Sequence, residues 1–118
     1  MVEICVDSVE SATVAESAGA GRIELCSALV EGGVTPSAGL IEAVRRNTGI
    51  KVHVLIRPRS GDFLYSDSEF SIMRRDIEVA GECGARRPGR RHGGDGDQLR
   101  AVPEPLPRLR LHGHCRAA

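Results

Sequence analysis

The stretch RIELCSALVEGGVTPS, Arg22 to Ser37, decides the fold. It opens as a strand: Ile23 and Leu25 fall on one side, Glu24 and Cys26 on the other, the period-two alternation of a pleated ribbon. A glycine-bearing loop follows, and Thr35 with Pro36 reads as the N-cap and first position of a helix. Leu40, Ile41 and Val44 give that helix its apolar stripe, and Gly49 offers it a stop.

The same unit lies on either side. VEICVDS (Val2–Ser8) sets Val2, Ile4 and Val6 against Glu3, Cys5 and Asp7. Asp7 and Glu10 have the spacing of a capping box and open an alanine-rich helix that Gly19 or Gly21 can end. KVHVLIRP (Lys51–Pro58) sets Val52, Val54 and Ile56 against His53, Leu55 and Arg57. Ser66 and Glu69 form a further capping box, before a helix whose Phe70, Met73, Ile77 and Ala80 share a face and which ends near Gly81 or Gly84. The order β-α-β-α-β-α predicts an α/β fold with parallel strands. In an open, doubly wound sheet both faces meet helices and strands read apolar throughout. Here one parity is polar in every strand. The expectation is therefore the N-terminal part of a TIM-like barrel, three βα units, with aliphatics turned to the helices and polar side chains to the interior.

The chain has 118 residues and is 41% hydrophobic, with two Phe, one Tyr and no Trp, which suits one small domain filled by aliphatics. No apolar run nears the roughly 18 residues of a membrane span, so no membrane is expected, and no secretory signal is read at the start. Cys5, Cys26, Cys83 and Cys115 include no C-x-x-C pair, against a zinc ribbon, and are expected as reduced thiols in a cytoplasmic protein.

The net charge of zero hides an asymmetry. Residues 1–85 carry 8 Lys+Arg against 13 Asp+Glu, whereas residues 86–118 carry 8 against 3. Four of the six prolines and three of the four histidines also follow Arg86, where strand and helix periods vanish. The division expected is a partial barrel over 1–85 and an irregular Arg/Pro/Gly-rich tail over 86–118, disordered or out of frame. With high-GC codons written from Ala85 onward, removal of one base turns Ala-Arg-Arg-Pro-Gly-Arg-Arg into Ala-Asp-Gly-Arg-Val-Val-Gly, a β-branched strand ending in Gly. Basic tails bind nucleic acid by charge. This one lacks interleaved aromatics or a motif, so no nucleic acid is expected.

Taken in order, E-x-C-V-D-S, R-I-E-L-C-S, E-G-G-x-T-P-S and I-R-P-R-x-G-D-F-x-Y closely resemble the N-terminal part of the copper homeostasis protein CutC family, over about residues 2–85. The resemblance implies a TIM-like barrel, a cytoplasmic role in copper homeostasis, and Cu(I) held by thiols at the strand mouths, here Cys5 and Cys26. It assigns no reaction. A homo-oligomer like the family's is doubtful for a chain this short. A complete barrel takes about 250 residues and eight strands. Three units leave two strand edges unpaired, which implies marginal stability or aggregation.

The residues also admit plainer readings. A buried cysteine is often just a small hydrophobe. Cys83 and Cys115 have no comparable placement and read as incidental, and His53 reads as a core histidine. Inward Glu3, Asp7, Glu24 and Arg57 make either an ion-pair lattice, with Arg57 and Arg59 as counterions, or the site of a barrel enzyme. That enzyme would act on a small anionic ligand, with Asp7 or Glu24 as base and Arg57 as clamp. The loops Glu31-Gly32-Gly33 and Ser60-Gly61-Asp62 let backbone approach an anion, and the helix start at Thr35-Pro36-Ser37 offers it N–H groups.

Overall fold

The structure is a computed structural model, and it describes residues 1–85. The readings placed on residues 86–118, including Cys115 and the change of frame, lie outside the described residues.

Three parallel strands, β1 (Glu3–Val6), β2 (Arg22–Leu25) and β3 (Lys51–Val54), alternate with helices α1 (Val9–Ser17), α2 (Ala38–Asn47) and α3 (Asp67–Ala85). A short 3-10 turn, Leu29–Glu31, lies between β2 and α2. The sheet order is β1-β2-β3, so each crossover leads to the next neighbour. That is the winding of a barrel and equally of one half of a doubly wound sheet, and it is the polar face opposite the helices that selects the barrel. In register, Ile4, Ile23 and Val52 stand abreast in one row, and Cys5, Glu24 and His53 in the next.

All three helices cover one face. Val6, Ile23, Leu25 and Val52 join Ala12 and Ala15 of α1, Ile41 and Val44 of α2, and Ala80 and Cys83 of α3 in a single buried cluster. Glu3, Cys5, Glu24 and His53 are excluded from it. The fold is thus the first part of a TIM-like barrel, with its aliphatic face turned outward to the helices.

The boundaries differ from the sequence reading in instructive ways. The strands are four residues each, shorter than their alternating stretches. Backbone pairing nevertheless continues past them, with Cys26 N–H donating to Val6 O at 3.0 Å and Leu55 N–H to Leu25 O at 3.0 Å. The cap of α1 is Ser8, whose Oγ accepts from Ser11 N–H, and Asp7 stands one residue outside. The cap of α2 is Ser37, whose Oγ accepts from Leu40 N–H. Thr35 is instead tied to β3's extension: its N–H donates to Arg57 O, and its Oγ1 accepts from Arg57 N–H at 2.8 Å. A tertiary partner on the extension of the neighbouring strand prevails over a local cap. The capping box of α3 forms as read, with Ser66 N–H to Glu69 Oε2 at 2.8 Å and Glu69 N–H to Ser66 Oγ at 3.2 Å. That helix runs through Gly81 and Gly84 to Ala85, since helix-interior glycine costs only about 1 kcal/mol and packing on α2 can offset it. Of its expected face, Met73 and Ala80 are buried, while Phe70 and Ile77 are 42% and 39% exposed.

Candidate functional site

The face away from the helices carries the polar row. The Cys5 sulfur lies 3.1 Å from Glu24 Oε2, across the β1–β2 pair. Cys26 follows Leu25 with the same parity as Glu24, and it is absent from the aliphatic cluster although it is 0% exposed. Its Sγ donates to Val6 O at 3.7 Å. Cys5, Glu24 and Cys26 therefore share one side of the sheet, as the alternation predicted. The redox expectation is met at Cys26 and Cys83, which are thiols, whereas Cys5 stands in disulfide form. Cys83 packs between α2 and α3, with Sγ 3.8 Å from Ala38 O.

Burial pushes the Cys26 thiol up to about 11 from an ordinary 9.0, and the carboxylates of Glu24 and Asp7 add to the rise. Below pH 9 the thiol is neutral folded or unfolded, and its burial is indifferent to pH. Above it the unfolded thiol ionises while the folded one holds its proton, so stability falls as pH climbs from about 9 towards about 11. Two pKa units amount to at most about 3 kcal/mol. Urea melts at pH 8 and pH 10.5 should show a loss that Cys26→Ala abolishes. An equal loss in the variant would contradict this environment.

The arginines after β3 do not neutralise the inward carboxylates. Glu3 pairs with Arg22 and, at 3.5 Å, with His53 Nδ1, and His53 is exposed rather than a core histidine. Arg59 is taken by Glu69 and Asp62, and it also donates to the carbonyls of Ser60, Asp62 and Leu64. The Arg59 guanidinium, then the Ser66 N–H, hold the Glu69 carboxyl below its usual range. Arg57 directs Nη1 at Glu31 O (3.0 Å) and Gly33 O (2.9 Å), and Nη2 at Gly61 O (3.0 Å). The two glycine loops thus offer Arg57 their carbonyls instead of offering N–H groups to an anion. The sequence could not show this, because a backbone carbonyl leaves no residue-type signal.

Asp7 is exposed at the end of β1, close enough to Cys26 to disfavour its thiolate. Among the described residues no three His, Cys, Asp or Glu side chains are gathered as a ready metal cage. No described helix is long and apolar enough to cross a membrane. A second feature that sequence reasoning missed is the backbone of Gly33, at φ +89°, packed against Cys26.

Comparison with known proteins gives this geometry a context. The CutC family model matches residues 1–88. A copper homeostasis protein cutC homolog of Mus musculus is 59% identical over 85 residues, covering 72% of this chain and 31% of that protein. Its Homo sapiens counterpart is 58% identical over 85 residues, with the same coverage. The crystal structure of a CutC protein from Streptococcus agalactiae superposes with a TM-score of 0.63 at 42% identity, over 69% of this chain and 40% of that one. The chain spans about a third of the length of the curated relatives it matches, 31% for both mammalian proteins. On the family match over residues 1–88, and on a relative and a solved structure that align with 72% and 69% of it, the chain belongs to the CutC family.

Proposed function

We propose that this chain carries a Cu(I)-binding corner of a cytoplasmic copper homeostasis protein, with Cys5 and Cys26 as its ligands. The observation that carries the reading is their shared side of the sheet: sulfurs of adjacent strands flank Glu24, away from the helices. Soft thiolates favour Cu(I), and neighbouring strands are only about 4.8 Å apart. Two thiolates suit Cu(I), a soft ion that selects such ligands. Binding needs both sulfurs reduced and deprotonated. Displacing the Cys26 proton works against its raised pKa, so affinity should grow with pH. The names of the mammalian relatives support copper homeostasis as the setting.

Arg57 gives the competing enzyme reading little help, because Nη1 and Nη2 are committed to backbone carbonyls rather than turned to a substrate. The experiment is Cu(I) competition against a chromophoric chelator with the fully reduced chain. The double variant Cys5→Ala/Cys26→Ala should lose more than about two orders of magnitude in affinity, beyond the roughly 10–100-fold that removing a ligand's supporting partner costs. Unchanged affinity would reject the two-thiol site.

A further inference from the structure

Cys26 has a roof, and the roof has a fastening. A Cβ built on Gly33 would stand 3.3 Å from Cys26 Sγ and 2.8 Å from Leu55 Cδ2, so the loop backbone lies directly on the sulfur. That loop is closed at its neck by Ser27 and Val34, which exchange N–H···O bonds of 2.9 and 2.8 Å. Between them the chain turns through three left-handed positions: Ala28 at φ +52°, Gly32 at +88° and Gly33 at +89°. Val30 at the tip is 102% exposed, and Leu29 before it is only half-buried.

Arg57 supplies the fastening. Its Nη1 donates to Glu31 O and Gly33 O within this loop, and its Nη2 to Gly61 O in the next. The guanidinium also sits 5.3 Å from the Phe63 ring centre. Arg57 is itself fixed, because its backbone N–H and carbonyl are both bonded to Thr35. One side chain thus ties the roof of Cys26 to the loop after β3 and to the extension of β3.

We propose that the loop 27–34 is a gate over Cys26, latched by the Arg57 guanidinium, so that a solute reaches the Cys26 sulfur only when the loop lifts from that latch. Arg57 is a positioning residue here, acting on the cysteine through the loop. The proposal rests on the copper reading for what passes the gate. The gate itself belongs to the metal-free chain and is measurable without copper.

The test is alkylation of the reduced full chain by iodoacetamide, with the Cys26 peptide followed by mass spectrometry across low urea concentrations. Opening of a loop exposes little surface, so its rate scarcely depends on urea, whereas global unfolding depends on it steeply. Cys26 should react far more slowly than an unstructured peptide, at a rate flat in low urea. Arg57→Ala should raise that flat rate about tenfold or more, the scale of one lost charge-assisted hydrogen bond. Arg57→Lys, with one donor direction instead of a fork, should fall between. Ala28→Gly removes the non-glycine residue from its left-handed position, and should slow labelling by favouring the closed loop. Four results would overturn the gate: peptide-like labelling, a rate as steep in urea as global unfolding, a flat rate unmoved by Arg57→Ala, or no slowing by Ala28→Gly. Loss of Cu(I) binding without these results, or the reverse, separates failure of the metal site from failure of the gate.

Discussion

Leu25→Ala should abolish cooperative unfolding of this chain. Leu25 is 0% exposed, in the middle strand, packed with residues of all three helices. Truncating a buried leucine costs about 2–5 kcal/mol, from lost transfer energy and the cavity left behind. A unit of this size has about 4–13 kcal/mol in total. Three strands with two outer edges belong at the low end, so one such cavity removes most of it. Ile77→Ala is the matched control: Ile77 is 39% exposed, beyond the face that Met73 and Ala80 bury, and should cost under about 1 kcal/mol. Thermal melts followed by circular dichroism read both. A sigmoidal transition kept in Leu25→Ala, with the midpoint within a few degrees of the parent's, would mean that the cluster around Leu25 is not the core.

The second large effect belongs to Gly33, and three glycines make the argument quantitative. Gly19, Gly32 and Gly33 all have positive φ, at +84°, +88° and +89°, so alanine at any of them bears the left-handed penalty of about 1–2 kcal/mol. Their surroundings differ. A Cβ at Gly19 meets nothing within 4 Å, and one at Gly32 meets only the Nη1 end of Arg57, at 3.2 Å. At Gly33 it meets Cys26 Cβ and Sγ at 3.3 Å, tighter than ordinary packing, besides the movable Cδ2 methyl of Leu55 at 2.8 Å. Overpacking adds about 1–3 kcal/mol, so Gly33→Ala should cost about 2–5 kcal/mol and the other two about 1–2 kcal/mol. Urea midpoints of the three variants decide it. Equal losses would mean that the loop does not bear on the cysteine.

These two expectations differ in how much of each was readable in advance. The alternation in Val2–Ser8, Arg22–Cys26 and Lys51–Pro58 was enough to sort aliphatic from polar faces, and hence to choose a barrel over a doubly wound sheet. Leu25 was visible as core by parity alone. The Ser66/Glu69 box was equally legible, because both of its hydrogen bonds run between residues three apart. The other caps were misread by one or two residues where neighbours competed. Asp7 and Ser8 are both capping types, and the chain's path out of β1 selects Ser8. Thr35 has the right side chain for a cap, but the end of β3 claims it.

The candidate site divides along the same line. Its soft donors and carboxylates, Cys5, Glu24 and Cys26, follow from the period of the strand, a property that repeats every two residues whatever lies around it. Arg57 was legible as a charge at a strand end and not as a tie between loops. Its partners are the carbonyls of Glu31, Gly33 and Gly61, groups that every residue possesses. By itself, then, the sequence determined which side chains face together, since that is set by local backbone geometry. Only the tertiary structure decided that Gly33 covers Cys26 and that Arg57 holds the cover in place. Both depend on segments more than 20 residues apart meeting or on a loop folding back over its own strand, and no local pattern encodes such closures.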